Sequence, residues 1–273
     1  MKIKYLGTAA YEGVPSPFCN CRVCRLSKKA GGRNMRSRSQ ALINDELLMD
    51  FNADTVWHFH KYGFDWDKIG DCLITHSHCD HLYADDVEIA SRPYSHDHRA
   101  LNLYAPAEGY AMLKPICDNS QGGSAVTQIS AGHRFKTATG YNVLAMEADH
   151  DPELHCLIYS VEKDGKRLLY AHDTGYFSEN TWELLKSEGY FGLISLDCTG
   201  GMGLNGQWRQ NHMTFGTDLD IIGRMKKEGI IDEKTKVVIN HFSHNGGQTY
   251  DEMAELTKEY GVIVSYDGLE IDF

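Results

Sequence analysis

Short apolar runs of strand length alternate along the chain with longer stretches whose apolar positions recur at helical spacing. Strand-like runs fall at residues 2–7, 41–44, 47–50, 71–75, 101–105, 141–148, 156–162, 167–172, 192–198, 237–240, 262–266 and 269–273. Helices are predicted at 54–62, 83–90, 108–117, 179–188, 217–228 and 250–260. Alternation of this kind favours a layered α/β architecture. Three pairs of runs read as hairpins, around Asn44-Asp45-Glu46, at Asp164-Gly165 and at Asp267-Gly268. Asp-Gly supplies the positive φ that tight primed turns require. Residues 13–38 differ in texture, being loop-like, rich in cysteine and locally basic. No Pro/Gly/Ser-rich linker, fixed-period repeat or low-complexity tract interrupts the chain, so residues 1–273 are expected to form one domain.

Composition narrows the class of protein. Hydrophobic residues make up 42% and aromatics 11% of the 273, enough to bury a core rather than remain disordered. No apolar run approaches the roughly 20 residues of a transmembrane helix. The opening Met-Lys-Ile-Lys-Tyr-Leu-Gly has no signal-peptide core, so a cytoplasmic location and no membrane partner are expected. Lys+Arg number 27 against 38 Asp+Glu, a net charge of −11, which disfavours a broad phosphate-tracking surface for nucleic acid. Packing does not explain 14 His and 8 Cys.

Strand 71–75 runs straight into His76-Ser77-His78-Cys79-Asp80-His81. Residues two apart at a strand end point the same way, so His76 and His78 can share one metal. If the chain then turns into a helix, Asp80 and His81 face the same cleft. The bland alternative is a His-rich surface turn, but four ligand-type side chains in six residues after a buried-type strand argue against it. Cys19-x-Cys21-x-x-Cys24 places three thiols in one loop. An odd number is poorly suited to disulfides and suits tetrahedral coordination lacking one ligand. His244 is the candidate fourth.

His76-x-His78-x-Asp80-His81 resembles the signature of the metallo-β-lactamase fold hydrolases, and later landmarks follow in the family's order. The resemblance implies an α/β (α+β) αββα sandwich of two mixed sheets flanked by helices. It implies His76, His78 and His150 on one ion, Asp80, His81 and His241 on a second, Asp173 bridging them, and Asp50 orienting a ligand histidine. The cysteine cluster after the first strand, with His241-Phe242-Ser243-His244 near the end, is similar to the PhnP-like phosphodiesterase subfamily. By that resemblance Cys19, Cys21, Cys24 and His244 hold a structural zinc in an insertion at about 13–38, and the cleft holds two divalent ions, manganese or zinc. The implied reaction is attack on a small or cyclic phosphodiester by a hydroxide shared between the ions. Asp80 and Asp173 belong to that catalytic set, and His212 protonates the leaving oxygen. The relatives also suggest a homodimer. Rival readings are a ribonuclease Z-like nuclease, a lactone, thioester or carboxylic ester hydrolase, and a non-enzymatic relative that keeps its metals for structure. No basic, Gly-rich arm is visible, which favours the small substrate.

The remaining candidates are assigned no metal. His58 and His60 face different sides of a helix, and His96 and His98 sit in a polar loop. His133 and His155 lack a visible partner. Asp149 and His172 are strand neighbours of better candidates and point the opposite way. Cys72, Cys117, Cys156 and Cys198 read as small core residues, Cys79 as a variable position in the motif. Arg209 either clamps phosphate or covers the loop.

Overall fold

Every strand run expected from the pattern contributes to one of two facing seven-stranded sheets. The computed structural model describes residues 1–204 and 206–273. The first sheet gathers β1 (Lys2–Gly7), β2 (Gln40–Ile43), β3 (Leu47–Met49), β4 (Asp71–Leu73), β5 (Asn102–Ala105) and β6 (Ala125–Gln128). The second takes β7 (Arg134–Lys136), β8 (Asn142–Glu147), β9 (Leu157–Lys163), β10 (Lys166–Ala171), β11 (Leu193–Asp197), β12 (Lys236–Asn240) and β13 (Ile263–Val264). The last strand, β14 (Glu270–Asp272), returns to the first sheet beside β1. Both sheets are mixed: β3 to β6 run parallel beyond an antiparallel β14-β1-β2-β3 set. In the second, β10 to β13 run parallel beyond an antiparallel β7-β8-β9-β10 set.

Strand periodicity sorts the side chains into three apolar layers. Between the sheets, Ile3, Tyr5, Ala41, Ile43, Met49 and Leu73 meet Val143, Ala145, Tyr159, Val161, Leu168 and Tyr170. Outside the first sheet, Leu6, Leu42, Leu48 and Leu103 pack with Phe59 of α2 (Thr55–Tyr62) and with Leu113 and Cys117 of α3 (Ala107–Asn119). Outside the second, Leu144, Ile158, Leu169 and Ile194 pack on Trp182 and Leu185 of α4 (Glu179–Glu188) and on Ile221 and Met225 of α5 (Phe215–Lys227). The result is the αββα sandwich. The termini of these helices follow local chemistry: Ser178 caps α4, and Thr249 with Glu252 forms a capping box on α6 (Tyr250–Thr257). Among the described residues no helix is long and apolar enough to cross a membrane.

Four expectations need correction. Residues 13–38 are not all loop, because Arg22–Ala30 forms a helix, α1. Its buried face is only Val23, Cys24 and Ser27, too narrow to show as an apolar stripe, and Cys21 caps it by accepting the Cys24 N–H. Strands β6 and β7 were not expected, because both are edge strands whose residues are mostly exposed. Residues 84–90 wind as a 3₁₀ helix rather than an α-helix. Asp267-Gly268 is not a hairpin, since β13 pairs with β12 while β14 pairs with β1 in the other sheet. The Asp267 carboxylate accepts the Ser37 N–H, the Ser37 hydroxyl and the Thr8 hydroxyl, each at 2.7 Å, so tertiary partners decide this crossover. Asn44-Asp45 and Asp164-Gly165 do join antiparallel neighbours, with positive φ at all four residues.

Candidate metal centre

Strand ends from both sheets bring the predicted side chains together. His76, His78, Asp80 and His81 follow β4, His150 follows β8, Asp173 follows β10 and His241 follows β12. Asp50, Asp173 and His241 have positive φ (66°, 56° and 63°), which turns each side chain out of its strand's plane immediately past the ladder. Asp and His tolerate that conformation better than most residues.

One group comprises His76, His78, His150 and Asp173, and a second comprises Asp80, His81, Asp173 and His241. Within each, one ligand-type atom per residue lies within 4.8 Å of the others. Asp173 Oδ2 is the shared atom: it lies 3.3 Å from His76 Nε2, 3.3 Å from His150 Nε2, 3.2 Å from His81 Nε2 and 3.8 Å from His241 Nε2.

Hydrogen bonds on the outer side of each ring decide which nitrogen carries the proton. His81 Nδ1 donates to Asp50 Oδ2 at 2.8 Å, and His150 Nδ1 to the Asn211 carbonyl at 3.0 Å. His78 Nε2 donates to Asp151 Oδ2 at 3.1 Å, and His241 Nδ1 to the Thr199 hydroxyl at 2.8 Å. The Thr75 hydroxyl gives its hydrogen to Asp50 Oδ1 (2.9 Å), so His76 Nδ1 donates to the Thr75 oxygen (3.1 Å). All five inner nitrogens therefore present lone pairs. These face one another at 3.0 Å (His76–His78), 3.1 Å (His78–His150) and 3.3 Å (His81–His241). Facing lone pairs beside buried carboxylates repel unless cations lie among them. Imidazole and carboxylate donors with oriented outer nitrogens fit divalent transition metals.

The carboxylates of the cleft draw positive charge, which ligand histidines would carry as protons unless bound cations supplied it. Burial pushes His76 down to about 3, helped by His81. Burial opposes charge on His81, but Asp50, Asp80 and Asp173 hold it well above the usual imidazole value. Burial would raise Asp173, yet His241, His212, His76 and His81 keep it well below the carboxylate range.

His212 also joins the cleft, with Nδ1 2.9 Å from Asp173 Oδ1 and 3.5 Å from Asp197 Oδ2. Burial opposes its charge, but the two carboxylates raise it to about 11. Asp197 was missed by sequence reasoning. It ends β11, is fully buried, and groups with Asp173, His212 and His241. Its oxygens accept the N–H groups of Asp173 (3.0 Å), Thr199 (3.0 Å) and Met213 (2.9 Å). The available signal was an ionisable residue closing an otherwise apolar strand, as Asp50 and Asp173 do. Asp151 was missed as well.

Cys19, Cys21, Cys24 and His244 form a separate group. His244 Nδ1 is 3.7 Å from Cys19 Sγ and 3.5 Å from Cys21 Sγ. A tetrahedral zinc with ordinary bond lengths has S···N edges of about 3.5 Å. Backbone N–H groups of Ser16, Cys21 and Cys24 each point at a sulfur of the cluster at 3.4 Å, which suits thiolates. Burial alone would raise Cys21, but the Cys24 N–H, the other thiols and His244 draw it below the ordinary thiol value.

The other candidates lie elsewhere. His58 is buried between Gln40 and Ser37, and His155 pairs with Glu108 at 2.8 Å. His60, His96 and His98 line a second cavity of about 420 Å³ beside α2. His172 bonds the Ser195 hydroxyl at 2.7 Å, away from the cleft lining. Arg209 pairs with Asp220 and stacks on Tyr176, so its charge is already engaged.

Two facing sheets with helices outside, and a histidine- and aspartate-rich cleft built on their strand ends, define a metal-dependent hydrolase architecture. The chain belongs to the beta-lactamase superfamily, whose domain family matches residues 55–242. Among solved structures it is similar to Zn(2+)-bound PqqB from Methylobacterium extorquens, with a TM-score of 0.75, 18% identity and 100% of each chain covered. A diphosphatase of the PhnP family gives a TM-score of 0.74 at 20% identity, covering 100% of this chain and 97% of that one. The short form of human tRNase Z gives 0.64 at 16% identity, covering 100% and 99%. At these identities the likeness is one of fold. No curated protein sequence matches the chain.

Proposed function

We propose that this chain is a phosphodiesterase for small or cyclic phosphodiesters, of the PhnP-like kind. Two divalent ions, zinc or manganese, would be held by His76, His78, His150, Asp80, His81, His241 and the bridging Asp173. Cys19, Cys21, Cys24 and His244 would hold a structural zinc. The observation that carries the reading is Asp173 Oδ2, which lies within 3.8 Å of histidine nitrogens from both groups. When bound, two such ions supply an acidified water and positive charge against the phosphoryl oxygens.

The chain's own residues do the rest. Asp50, Asp151, Thr199 and the Asn211 carbonyl fix the ring orientations through the bonds described above. His212 lines the cleft, a space of about 480 Å³, and its Nδ1 is turned to Asp173 and Asp197. Those carboxylates favour its charged form, the form that gives a proton away. As water oxygen bonds to phosphorus and the opposite P–O bond breaks, His212 protonates the departing oxygen. The products are an alcohol and a phosphomonoester. Among the described residues, none lining the cleft is lysine or arginine, which suits a small ester better than a polyanionic RNA.

The test sets bis-p-nitrophenyl phosphate, a 2′,3′-cyclic nucleotide, a lactone and precursor tRNA side by side with metal-loaded protein. Hydrolysis of the first two is expected, with loss in a His76→Ala, Asp173→Ala double variant. Turnover of the tRNA alone or the lactone alone overturns the assignment.

A further inference from the structure

One wall of the cleft contributes no side chain to the candidate metal groups and does not include His212. It is made by Tyr11, Glu12, Asn245 and Trp208, with Ser243 and Thr199 beneath them. The wall is fixed from below. The Ala10 N–H donates to the Phe242 carbonyl at 3.0 Å, and Arg38 Nε donates to the Tyr11 carbonyl at 2.9 Å. Glu12 Oε1 accepts the Ser243 hydroxyl at 2.5 Å and lies 3.5 Å from His244 Nε2. Oε2 makes no hydrogen bond with the described residues. Trp208 lies so close over Gly200 that a β-carbon there would come within 2.8 Å of the ring. Thr217 holds the Trp208 carbonyl.

This wall therefore combines two aromatic rings with a partly exposed carboxylate. The nearby cations already have carboxylate partners: Arg38, whose guanidinium lies 5.7 Å from the Tyr11 ring centroid, pairs with Asp54 at 3.0 Å, and Arg209 pairs with Asp220. A second anionic group on a substrate would meet the Glu12 carboxylate, with the neighbouring Arg38 already paired to Asp54. A cationic group would meet a carboxylate and aromatic faces, the combination that attracts ammonium ions.

We propose that this wall receives the alcohol portion of the substrate and selects one that carries positive charge, an amino or quaternary ammonium alcohol in diester linkage to phosphate. The inference rests on the phosphodiesterase reading and deepens it. It also gives Glu12 two roles, one oxygen on the segment carrying His244 and the other facing the substrate.

The test keeps the leaving group constant and varies the retained alcohol. For the metal-loaded protein, kcat/KM on p-nitrophenyl phosphorylcholine should exceed that on p-nitrophenyl thymidine 5′-phosphate by about tenfold, the size expected of a partly exposed cation–π and ion pair. Glu12→Gln should bring the ratio close to one, mainly through KM. Tyr11→Leu, which leaves Ser243 and His244 their partner, should also lower it. A wild-type ratio of one or less, or a ratio unmoved by both variants, overturns the proposal. Hydrolysis of neither ester counts against the phosphodiesterase reading, and calorimetry then reads the wall alone. Glycerophosphocholine should bind about tenfold tighter than glycerophosphoglycerol, and equal binding overturns the proposal.

Discussion

Asp50→Asn isolates the argument that outer hydrogen bonds prepare the cleft for metal. Asp50 is fully buried and uses both oxygens: Oδ1 accepts the Thr75 N–H (2.8 Å) and hydroxyl (2.9 Å), and Oδ2 accepts His81 Nδ1–H (2.8 Å). Asparagine matches its shape and tolerates the 66° φ, so the backbone is spared. The amide offers only one acceptor oxygen. Two Thr75 donors keep that oxygen, which leaves the amide N–H₂ facing His81 Nδ1. His81 must then shift its proton to Nε2, the nitrogen aimed at Asp173 and His241, and it loses the lone pair meant for the ion.

Losing such an outer-sphere carboxylate lowers metal affinity by about 10- to 100-fold, or about 1.4–2.8 kcal/mol. The loss should fall on one ion, because His76, His78 and His150 draw their orientation from Thr75, Asp151 and Asn211. Competition titration against a chromogenic chelator, with metal counted after dialysis, should show one weakened site and two others unchanged. An Asn variant that binds all ions with wild-type affinity, or that weakens the two cleft sites equally, refutes the reasoning.

Three further outcomes follow from the same structure. His212→Asn should reduce kcat by about 10²- to 10⁴-fold on a diester with an alkyl leaving group. It should cost far less on bis-p-nitrophenyl phosphate, whose leaving group needs no proton, and equal losses on both would rule out proton donation. Cys21→Ser removes a sulfur from the cysteine–histidine group while keeping a capping side chain on α1, so metal content should fall from near three ions per chain to two and Tm should drop through the lost ion; a wild type holding a single ion contradicts the assignment. Burial lowers His58 to about 4. As pH falls below the ordinary value near 6.5 the unfolded chain takes up the proton first, so stability should decline between pH 6.5 and 4 by about 3 kcal/mol. Denaturant titrations of His58→Gln should lack that decline, and an identical slope in both proteins would refute it.

What could be read from the residues alone was local, and Asp50, His150, Asp173 and His241 were reached only through the family resemblance. His76 to His81 place four ligand-type side chains within six residues after one strand, and Cys19 to Cys24 do the same for the thiols, so both groups declared themselves without tertiary information. Apolar runs such as β2, β3, β4 and β11 survived because they are buried on both faces. The misses share a different cause. α1 has a three-residue buried face, and β6 and β7 lie at sheet edges with mostly exposed residues. Asp267-Gly268 carries local hairpin chemistry, but its turn is governed by Ser37 and Thr8, more than two hundred residues earlier in the chain. Asp197 and Asp151 act through partners remote in sequence, and no spacing rule connects them to the histidines they orient.

Positive φ at Asp50, Asp173 and His241 was equally hidden, yet it shapes the site. Left-handed backbone costs about 1–2 kcal/mol for a residue bearing a β-carbon, and such positions persist only where surroundings over-determine them. Here the determinants are visible. The Asp50 N–H donates to the Leu73 carbonyl at 2.8 Å, the Asp173 N–H to Asp197 at 3.0 Å, and the Thr199 hydroxyl to the His241 carbonyl at 2.8 Å. Two of the three restraints involve Asp197 or its partner Thr199. A carboxylate that binds three backbone N–H groups and borders both His212 and His241 does more than tune charge. It ties the ends of β10 and β11 and the loop before α5 into one piece, so that cleft residues from separate parts of the chain meet at ligand distance. Preorganisation of this kind lets binding energy go to holding the ions rather than to ordering the chain.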